Sequence, residues 1–238
     1  MGTIGQRGGF DLDVAGRVNM LESFYYVADW QTRNIHRFKS FMLDSGGFSF
    51  LYGKSGGTGI DWGDYVRRYA RYVVENDVEL FLELDIDTIV GYERVREYRD
   101  LLETLTGRRC IPVWHVERGV DDFLSTCADY PYVAIGGIAV RDGRRSLERY
   151  LPTLTREAHH RGAKVHGLGY TNLEGLRGSG LDSVDSTAWL YGNRGGFAYQ
   201  WDGRTMRKVK KGPGQRVSAR ELARHNFLQW VEMAEAME

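Results

Sequence analysis

Short apolar runs rich in β-branched and aromatic residues alternate along this chain with longer amphipathic segments. Such runs, bounded by turn residues, predict strands, and apolar residues that recur every three to four positions predict helices. The predicted strands are Ser23–Ala28, Ser40–Leu43, Leu80–Leu84, Ile111–Val116, Tyr132–Ile135, Lys164–His166 and Asp182–Ala188. The predicted helices are Trp62–Glu75, Tyr92–Leu105, Val120–Ala128, Arg144–Arg161 and Asn172–Arg177, the last capped by Thr171.

The alternation of strands and helices predicts parallel strands joined by right-handed crossovers. Seven predicted strands before residue 190 come close to a TIM-type (β/α)8 barrel of the α/β class. Such a barrel needs about 250 residues, so it would use nearly all of this chain of 238. A doubly wound open sheet is the main alternative, but no GxGxxG or Walker-type loop follows the first strand.

The pattern changes after residue 190. Tyr199–Arg204 predicts a hairpin with an Asp-Gly turn, and Ser218–Met237 predicts a helix that begins with a capping box. A basic run lies between them and contains Arg204, Arg207, Lys208, Lys210, Lys211 and Arg216. We expect residues 1–190 to form the barrel core, and residues 191–238 to form a basic hairpin and a closing helix packed on the same domain.

Composition narrows the class of protein. A hydrophobic content of 42% and a charged content of 27% are ordinary for a soluble globular protein. Lys+Arg and Asp+Glu both number 32, so the overall charge predicts no polyanionic partner. The two cysteines suit a reducing compartment and cannot alone form a cysteine-rich zinc site. Since we find neither a signal-peptide pattern nor a long apolar run, we expect a cytoplasmic protein without a membrane span.

Polar residues capable of chemistry stand where the predicted strands end: Asp44, Asp85, Asp87, His115, His166 and Asp185. The carboxyl ends of barrel strands converge on one face, so these side chains are expected to share a cavity. A single aspartate in such a place is more often a helix cap or turn residue. Four together favour roles as acid, base, nucleophile or metal ligand. On a continuing strand, Asp85 and Asp87 would point to opposite faces, which argues against a metal site that uses both of them. We expect the protein to bind neither a metal nor a cofactor.

Five short motifs contain most of these residues, in the order Asp44-Ser45-Gly46-Gly47-Phe48, Leu84-Asp85-Ile86-Asp87, Ala134-Ile135-Gly136-Gly137-Ile138-Ala139-Val140, Val165-His166-Gly167-Leu168-Gly169 and Asp182-Ser183-Val184-Asp185-Ser186. In this order they resemble the motifs of the tRNA-guanine transglycosylase family, the first and third being the most specific. The resemblance spans residues 40–190. It implies a TIM-type barrel that exchanges guanine in a nucleic acid for a 7-deazaguanine without breaking the backbone.

The resemblance also implies separate roles for the strand-end residues. Asp185 would attack the sugar C1′ and form a covalent intermediate, Asp44 would move the proton of the departing and arriving bases, and Asp85 would bind the donor edge of the purine. The remaining pocket residues would be His115, Gly136, Gly137, His166 and Gly167. His115 stands where the family has a base-reading glutamine, and His166 is about as readily a structural histidine. This division of labour resembles that of retaining glycosidases and needs the target nucleotide turned out of the stack.

The chain departs from the tRNA enzymes in one respect that concerns the substrate. Those enzymes carry a zinc site of three cysteines and a histidine after the nucleophile, whereas no cysteine follows Cys127 here. The chain is also far shorter, and so resembles a compact DNA-modifying branch found in phages and some bacterial islands. The expected partners are DNA, or alternatively tRNA, and a free 7-deazaguanine base; a need for accessory proteins stays open. The phosphate contacts would be Arg204, Arg207, Lys208, Lys210 and Lys211, unless this run is simply a solvated loop.

Other functions remain open at this point. The same fold and carboxylates would serve an N-glycosidase that releases the base to water. A barrel that binds nucleic acid through its basic segment without catalysis is a third hypothesis. A metal-dependent barrel hydrolase is the weakest, because the sequence has no HxH or comparable ligand spacing.

Overall fold

The computed structural model describes residues 12–51, 59–138, 147–170, 172–210, 212 and 217–238. Its strands are β1 (Asn19–Ser23), β2 (Ser40–Asp44), β3 (Leu80–Phe81), β4 (Val113–Trp114), β5 (Tyr132–Ile135), β6 (Lys164–Gly167), β7 (Ser183–Val184), β8 (Phe197–Trp201) and β9 (Met206–Lys210). Its α-helices are α1 (Asp29–Thr32), α2 (Gly47–Leu51), α3 (Trp62–Glu75), α4 (Asp87–Val90), α5 (Tyr92–Thr106), α6 (Val120–Asp129), α7 (Leu151–His160), α8 (Leu173–Ser179), α9 (Trp189–Gly195) and α10 (Ala219–Glu235).

The strands β1 to β7 are parallel and neighbour one another in chain order. One sheet has the order β1-β2-β3 and a second the order β4-β5-β6-β7. A parallel bridge between Leu82 and Ile111 connects the last strand of the first sheet to the first strand of the second. The protein is therefore a mixed α/β structure built on parallel strands, as the alternation in the sequence predicts.

The two faces of these strands pack against different partners. Helices cover one face and form two hydrophobic clusters, one around β1–β3 with α3 and α5, the other around β4–β7 with α6 and α7. The opposite face forms a third cluster of residues from or beside the strands, with Met42, Leu82, Ile111, Val113 and Ala134 at its centre. Burial on both faces explains why the strands are nearly continuous apolar runs.

Helix α3 shows how the local sequence specifies an element. Its buried residues are Trp62, Tyr65, Val66, Tyr69, Ala70 and Val73, which recur at the spacing of one helical face. The Asp61 carboxylate accepts a hydrogen bond from the backbone N–H of Asp64 at 2.9 Å and so caps the first turn. The predicted boundaries, Trp62–Glu75, are confirmed.

The first predicted strand is placed wrongly. The strand β1 is Asn19–Ser23, and the aromatic residues that favoured a strand at Ser23–Ala28 lie in a turn after it. The N–H groups of Tyr26 and Val27 donate to the Ser23 carbonyl oxygen, which reverses the chain. The Phe24 ring packs on Tyr69 with 5.2 Å between ring centroids. Aromatic residues have high strand propensity, but here contacts with α3 decide their conformation.

The C-terminal segment returns to the body formed by the N-terminal strands. Strand β8 pairs with β9 as an antiparallel hairpin, confirming the predicted turn. Helix α10 covers the outer edge of β8, because its Asn226 side chain accepts a hydrogen bond from the Tyr199 N–H at 2.7 Å. The capping box of Ser218 and Glu221 is present, and Val231 belongs to the cluster around β1–β3.

Two other helices differ from the prediction or fall partly outside the described residues. Asn172, rather than Thr171, caps α8 through a hydrogen bond to the Gly175 N–H, and Thr171 itself lies outside the described residues. The start of the predicted helix Arg144–Arg161 also lies outside them, and its described part is interrupted by a turn at residues 149–150 before α7 begins at Leu151. Among the described helices, none is both long and apolar enough to cross a membrane.

Candidate active site

Asp44 is the last residue of β2 and lies on the same face of that strand as Met42, because side chains alternate along a strand. Met42 belongs to the third hydrophobic cluster, so Asp44 lies at the end of the strand face that the helices leave uncovered. The backbone N–H of Gly46 donates to its Oδ2 at 3.0 Å. Burial and the nearby charges of Asp85 and Asp185, against the opposing hydrogen bond from Gly46, together raise the pKa of Asp44 to about 7. A carboxyl group with this pKa can donate or accept a proton near neutral pH.

Asp85 and His115 form a pair at the next two strand ends. The Oδ1 of Asp85 is 2.7 Å from Nε2 of His115, and both side chains are about one-fifth exposed. Burial by itself would lower the pKa of His115, but the hydrogen bond and charge of Asp85, aided by Asp87, outweigh it and the pKa is raised. The imidazole therefore favours its charged form beside a carboxylate, which gives this side of the site both an acceptor and a donor.

Gly136 makes room for that pair. A Cβ atom at Gly136 would lie 2.5 Å from Cε1 of His115, so any larger residue would displace the ring. The Gly136 N–H is already used, since it donates to the Trp114 carbonyl oxygen at 2.8 Å in the sheet. Gly137 is exposed and follows at the end of β5 with a φ of +74°, a conformation that favours glycine. Its backbone is thus accessible beside His115.

Asp185 follows β7 and contacts the end of β6. Its Oδ1 accepts a hydrogen bond from the Gly169 N–H at 2.7 Å and lies 3.4 Å from Nε2 of His166. His166 is only 2% exposed, whereas the Asp185 side chain keeps about one-fifth of its surface exposed. Gly167, buried at the end of β6, packs against Leu181 and Val184, where a Cβ atom would lie 2.8 Å from Leu181 Cδ1. Asp185 is therefore held from the β6 side and open on the other.

Two of the strand-end aspartates act electrostatically on the third. The charges of Asp85 and Asp185 both contribute to the raised pKa of Asp44. A carboxylate that raises the pKa of another in this way lies close to it. The structure thus brings together Asp44, Asp85 and Asp185 from different strands, with His115 beside Asp85 and His166 beside Asp185. Carboxylates with different environments in one cavity are the arrangement in which acid–base and nucleophilic roles separate.

Two buried tyrosines of α3 fix the backbone under Asp44. The Tyr69 hydroxyl donates to the carbonyl oxygens of Leu43 and Leu82, at 2.9 and 3.0 Å, and thereby connects β2 to the end of β3. The Tyr65 hydroxyl donates to the Ser45 carbonyl oxygen at 2.6 Å. Burial raises the pKa of both tyrosines, so both hydroxyls keep the protons that make these bonds.

Asp87 forms an ion pair with an arginine. It opens the short helix α4, and its Oδ2 accepts a hydrogen bond from Arg118 at 2.8 Å. The Arg118 guanidinium also lies over the Tyr92 ring, 4.0 Å from its centroid, and 3.9 Å from the buried carboxylate of Glu83. These contacts account for Asp87 as part of a structural ion-pair network.

Asp85, Asp87 and His115 are also the described residues that could hold a metal ion. One ligand atom from each lies within 4.8 Å of the others. The expectation that Asp85 and Asp87 point to opposite faces depended on a continuing strand, and it does not apply because β3 ends at Phe81 and α4 begins at Asp87. One oxygen of each carboxylate is already engaged, Oδ1 of Asp85 by His115 and Oδ2 of Asp87 by Arg118.

The basic residues of the hairpin lie in its turn and on β9. Arg204, Arg207, Lys208 and Lys210 are exposed, and Arg207 forms an ion pair of 2.7 Å with Asp202. A groove between this hairpin and α8 is lined by arginines of both elements, Arg177, Arg204 and Arg207, together with Glu174 and Asp202. Lys211 and Arg216 lie outside the described residues.

The sequence did not point to several residues of this site. Ser183 and Tyr132, which bond to His166 or to each other, were not singled out, and neither was Arg118. Ser183 stood inside the recognised Asp182–Ser186 motif, so its position was the only signal. Tyr132 is 51 residues away from Ser183, and no local pattern could have paired them. Asp182 of the same motif lies apart from the carboxylate site described above, accepting from the Val165 N–H and from His159.

Comparison with known proteins adds no relative. No protein-family model matches the chain, and no curated protein matches it significantly. The resemblance to the transglycosylases therefore rests on the five motifs and their order.

Proposed function

We propose that this chain is a base-exchange transglycosylase that replaces guanine in DNA with a 7-deazaguanine derivative through a covalent aspartyl-glycosyl intermediate. The proposal is carried by one observation: among the three aspartates of the recognised motifs, the charges of Asp85 and Asp185 both raise the pKa of Asp44, so both lie close to it at the ends of parallel strands. A resemblance confined to sequence would not require residues 141 positions apart to share one site.

The proposal includes a TIM-type barrel. In its support, β1 to β7 are parallel and follow chain order, and the strand face away from the helices forms its own apolar cluster. A curved sheet that closes on itself has this interior, and its active site lies at the carboxyl ends of the strands. Asp44 ends β2, and Asp85 and Asp185 follow β3 and β7.

The proposed chemistry divides into two balanced halves. A carboxylate oxygen of Asp185 bonds to C1′ of the target nucleotide while the bond from C1′ to N9 of guanine breaks, and the Asp44 carboxyl group gives its proton to that nitrogen. In the second half the incoming base gives its N9 proton to Asp44 and bonds to C1′, which releases Asp185. No net proton is consumed. A pKa of about 7 lets Asp44 serve as acid and then as base.

Base recognition falls to the opposite side of the site. The Asp85 carboxylate would accept from the donor edge of the purine, and the exposed Gly137 backbone would meet its carbonyl oxygen. His115, with its raised pKa, offers a ring N–H beside them, where the resembling family has a glutamine. Gly136 and Gly167 contribute indirectly, because their missing side chains let His115 and the pair Leu181 and Val184 pack closely against the strand ends. The base must leave the helical stack to reach this depth.

DNA is preferred to tRNA as the polynucleotide for two reasons. No cysteine follows Cys127, so the chain has no counterpart of the zinc site of the tRNA enzymes. Exposed basic residues on the hairpin, Arg204, Arg207, Lys208 and Lys210, supply a phosphate-binding surface that needs no zinc subdomain.

The test is incorporation of a labelled base. Purified protein is incubated with radiolabelled guanine or a labelled 7-deazaguanine and with duplex DNA, tRNA or no nucleic acid. We expect label in DNA only, and an Asp185→Ala variant at least about a thousandfold slower, since the nucleophile is lost. Mass spectrometry of trapped adducts should place the sugar on the peptide that contains Asp185.

A matched variant in the same segment controls for folding. Asp182→Asn keeps an oxygen for the Val165 N–H and should incorporate label at close to the wild-type rate. Label in tRNA instead of DNA would overturn the choice of polynucleotide. Release of free base without incorporation would show an N-glycosidase, and wild-type incorporation by Asp185→Ala would exclude Asp185 as nucleophile.

A further inference from the structure

A row of hydrogen bonds runs through the strand interior to Asp185. The Tyr132 hydroxyl at the start of β5 is 2.6 Å from Oγ of Ser183, and Ser183 Oγ is 2.5 Å from Nδ1 of His166. Nε2 of the same ring is 3.4 Å from Oδ1 of Asp185. Both nitrogens of a ring that is only 2% exposed are therefore engaged, one toward the strand interior and one toward the carboxylate.

The strand register explains why these four residues meet. His166 pairs with Ser183 across β6 and β7, and with Ala134 of β5 on its other side. Tyr132 and Ala134 are two residues apart and share a face, which is the face of the third hydrophobic cluster. The row therefore lies on the strand face away from the helices, and it ends at the proposed nucleophile.

The direction of donation follows from the carboxylate. Oδ1 of Asp185 already accepts from the Gly169 N–H at 2.7 Å, so a lone pair on Nε2 would face a negative oxygen and be repelled. Nε2 must then carry hydrogen. In a neutral imidazole Nδ1 is the acceptor, and it receives the Ser183 hydroxyl proton. Burial raises the pKa of Tyr132, so its hydroxyl remains a donor to Ser183.

All donors in the row thus point toward Asp185, an arrangement in which each bond polarises the next. The final contact is long for a hydrogen bond in the free protein. Catalytic hydrogen bonds are often long before substrate binds and shorten in the complex. Among the described residues, Oδ2 of Asp185 accepts no hydrogen bond, so the two oxygens of this carboxylate are not equivalent.

We propose that His166 is a positioning residue for the nucleophile and that, together with the Gly169 N–H, it holds Oδ1 of Asp185. Ser183 and Tyr132 fix the tautomer of the His166 ring. Oδ2 of Asp185 is then the oxygen that bonds to C1′. This inference rests on the proposed function for the attack itself. It assigns to the polar row in the strand interior a role that a merely space-filling histidine would not have.

The first test needs neither nucleic acid nor base. Nitrogen-15 NMR of the labelled wild-type protein should show His166 as the Nε2–H tautomer, its signals assigned by their loss in His166→Gln. Ser183→Ala removes the group that fixes Nδ1 as acceptor, so the signal should change toward a mixture of forms. A wild-type ring protonated on Nδ1 with a bare Nε2 would overturn the inference.

The second test compares two replacements of the ring. The amide of Gln can still donate to Asp185, whereas Leu has similar bulk and no donor. In single-turnover assays of adduct formation we expect His166→Leu to be about tenfold slower, the size of one hydrogen bond to a charged group, with KM little changed. His166→Gln should stay within about threefold of wild type, and Tyr132→Phe, far from the carboxylate, should lose about twofold to threefold.

The controls separate the possible failures. His160→Leu, an exposed histidine late in α7, should react at the wild-type rate. If His166→Leu is folded and also reacts at that rate, or if Gln and Leu are equally slow, the positioning role is wrong. If the wild-type protein exchanges no base, the proposed function fails, while the tautomer of His166 still decides whether this row of donors exists.

Discussion

At the scale of single residues, the protonation of Asp44 is the most consequential property of the site. Its carboxyl is held between opposing influences: burial and two neighbouring carboxylates raise its pKa, and the Gly46 N–H lowers it. The resulting pKa of about 7 means that the protonated and ionised forms of Asp44 are about equally populated at neutral pH. An exchange reaction needs the same group in both forms, so this position is suited to two successive proton transfers.

Replacement of Asp44 by Asn tests that pKa through stability. Since the pKa rises from 3.8 to about 7 on folding, the folded state holds a proton that the unfolded state releases. The stabilisation is complete below pH 3.8 and is lost as the pH rises through 7. Asn cannot ionise and still accepts from Gly46. The advantage of Asp44→Asn over wild type in urea unfolding should therefore grow by about 1–2 kcal/mol between pH 5 and pH 8, allowing for partial solvation.

The control for this measurement is an aspartate whose pKa shifts in the opposite direction. The hydrogen bond from Arg108 and its charge lower the pKa of Asp77, so this group titrates below the range tested. The stability difference between Asp77→Asn and wild type should therefore stay constant from pH 5 to pH 8. A constant difference for Asp44→Asn as well would show that Asp44 is ionised throughout.

At the scale of elements, close contact between the ends of β2 and β3 shapes the mouth of the site. Gly47 lies inside the Asp44 motif and begins α2, and a Cβ atom there would overlap the backbone carbonyl oxygen of Asp85. Because the obstacle is backbone, no side-chain rotation can relieve it. Gly47 thus permits the approach that brings Asp44 and Asp85 close together.

Gly47→Ala should consequently push the two strand ends apart. We expect it to lower the free energy of unfolding by about 1–3 kcal/mol, as overpacking does, and to slow base exchange by more than tenfold. Gly178→Ala in α8 is the matched control, because a Cβ atom there meets nothing within 4 Å. Helix propensity predicts that this second variant is stabilised by up to about 1 kcal/mol. Equal stability of the two variants in thermal unfolding would contradict the close contact at Gly47.

At the scale of the whole molecule, the charge of the chain is balanced but unevenly placed. The net charge is zero, while four basic side chains are exposed on the hairpin of β8 and β9. Helix α10 fixes the hairpin on one side, since Asn226 and Gln229 accept from the N–H groups of Tyr199 and Trp201. The basic surface is therefore held on the protein body, as binding of a rigid polyanion requires.

Salt dependence of DNA binding tests this surface. Removing two phosphate contacts with Arg204→Gln and Lys210→Gln should weaken binding to any DNA sequence. It should also reduce the slope of log K against log salt by about two, because each contact releases roughly 0.9 counterion. The double variant Arg156→Gln and Lys164→Gln removes the same charge elsewhere and should leave the slope unchanged. Equal slopes for both double variants would exclude the hairpin as the phosphate-binding surface.

Much of the fold could be predicted from the sequence because its signals are local. The boundaries of α3 and β5 and the cap of α10 agree with the prediction. The first strand was misplaced because Phe24 and its aromatic neighbours favour strands in general, while here Phe24 packs on α3. Closure of the barrel and the division into residues 1–190 and 191–238 stay predictions.

The candidate site was predictable only as a set of residues. Motif order pointed to Asp44, Asp85 and Asp185, and in the structure the charges of Asp85 and Asp185 both act on Asp44. The sequence could not show that Asp85 pairs with His115 or that Asp87 is taken by Arg118. Those partners are about 30 residues apart along the chain, and only the packing of neighbouring strand ends makes them adjacent.

The sequence by itself determined most of the longer elements, their order and the aspartates at the strand ends, because periodicity, caps and turns act over a few neighbouring positions. Only the tertiary structure decided which of these residues interact. The pKa of Asp44 depends on Asp185, and the orientation of Asp185 depends on His166, Ser183 and Tyr132. Charge and hydrogen bonding act through space, and strand register sets the distances over which they act.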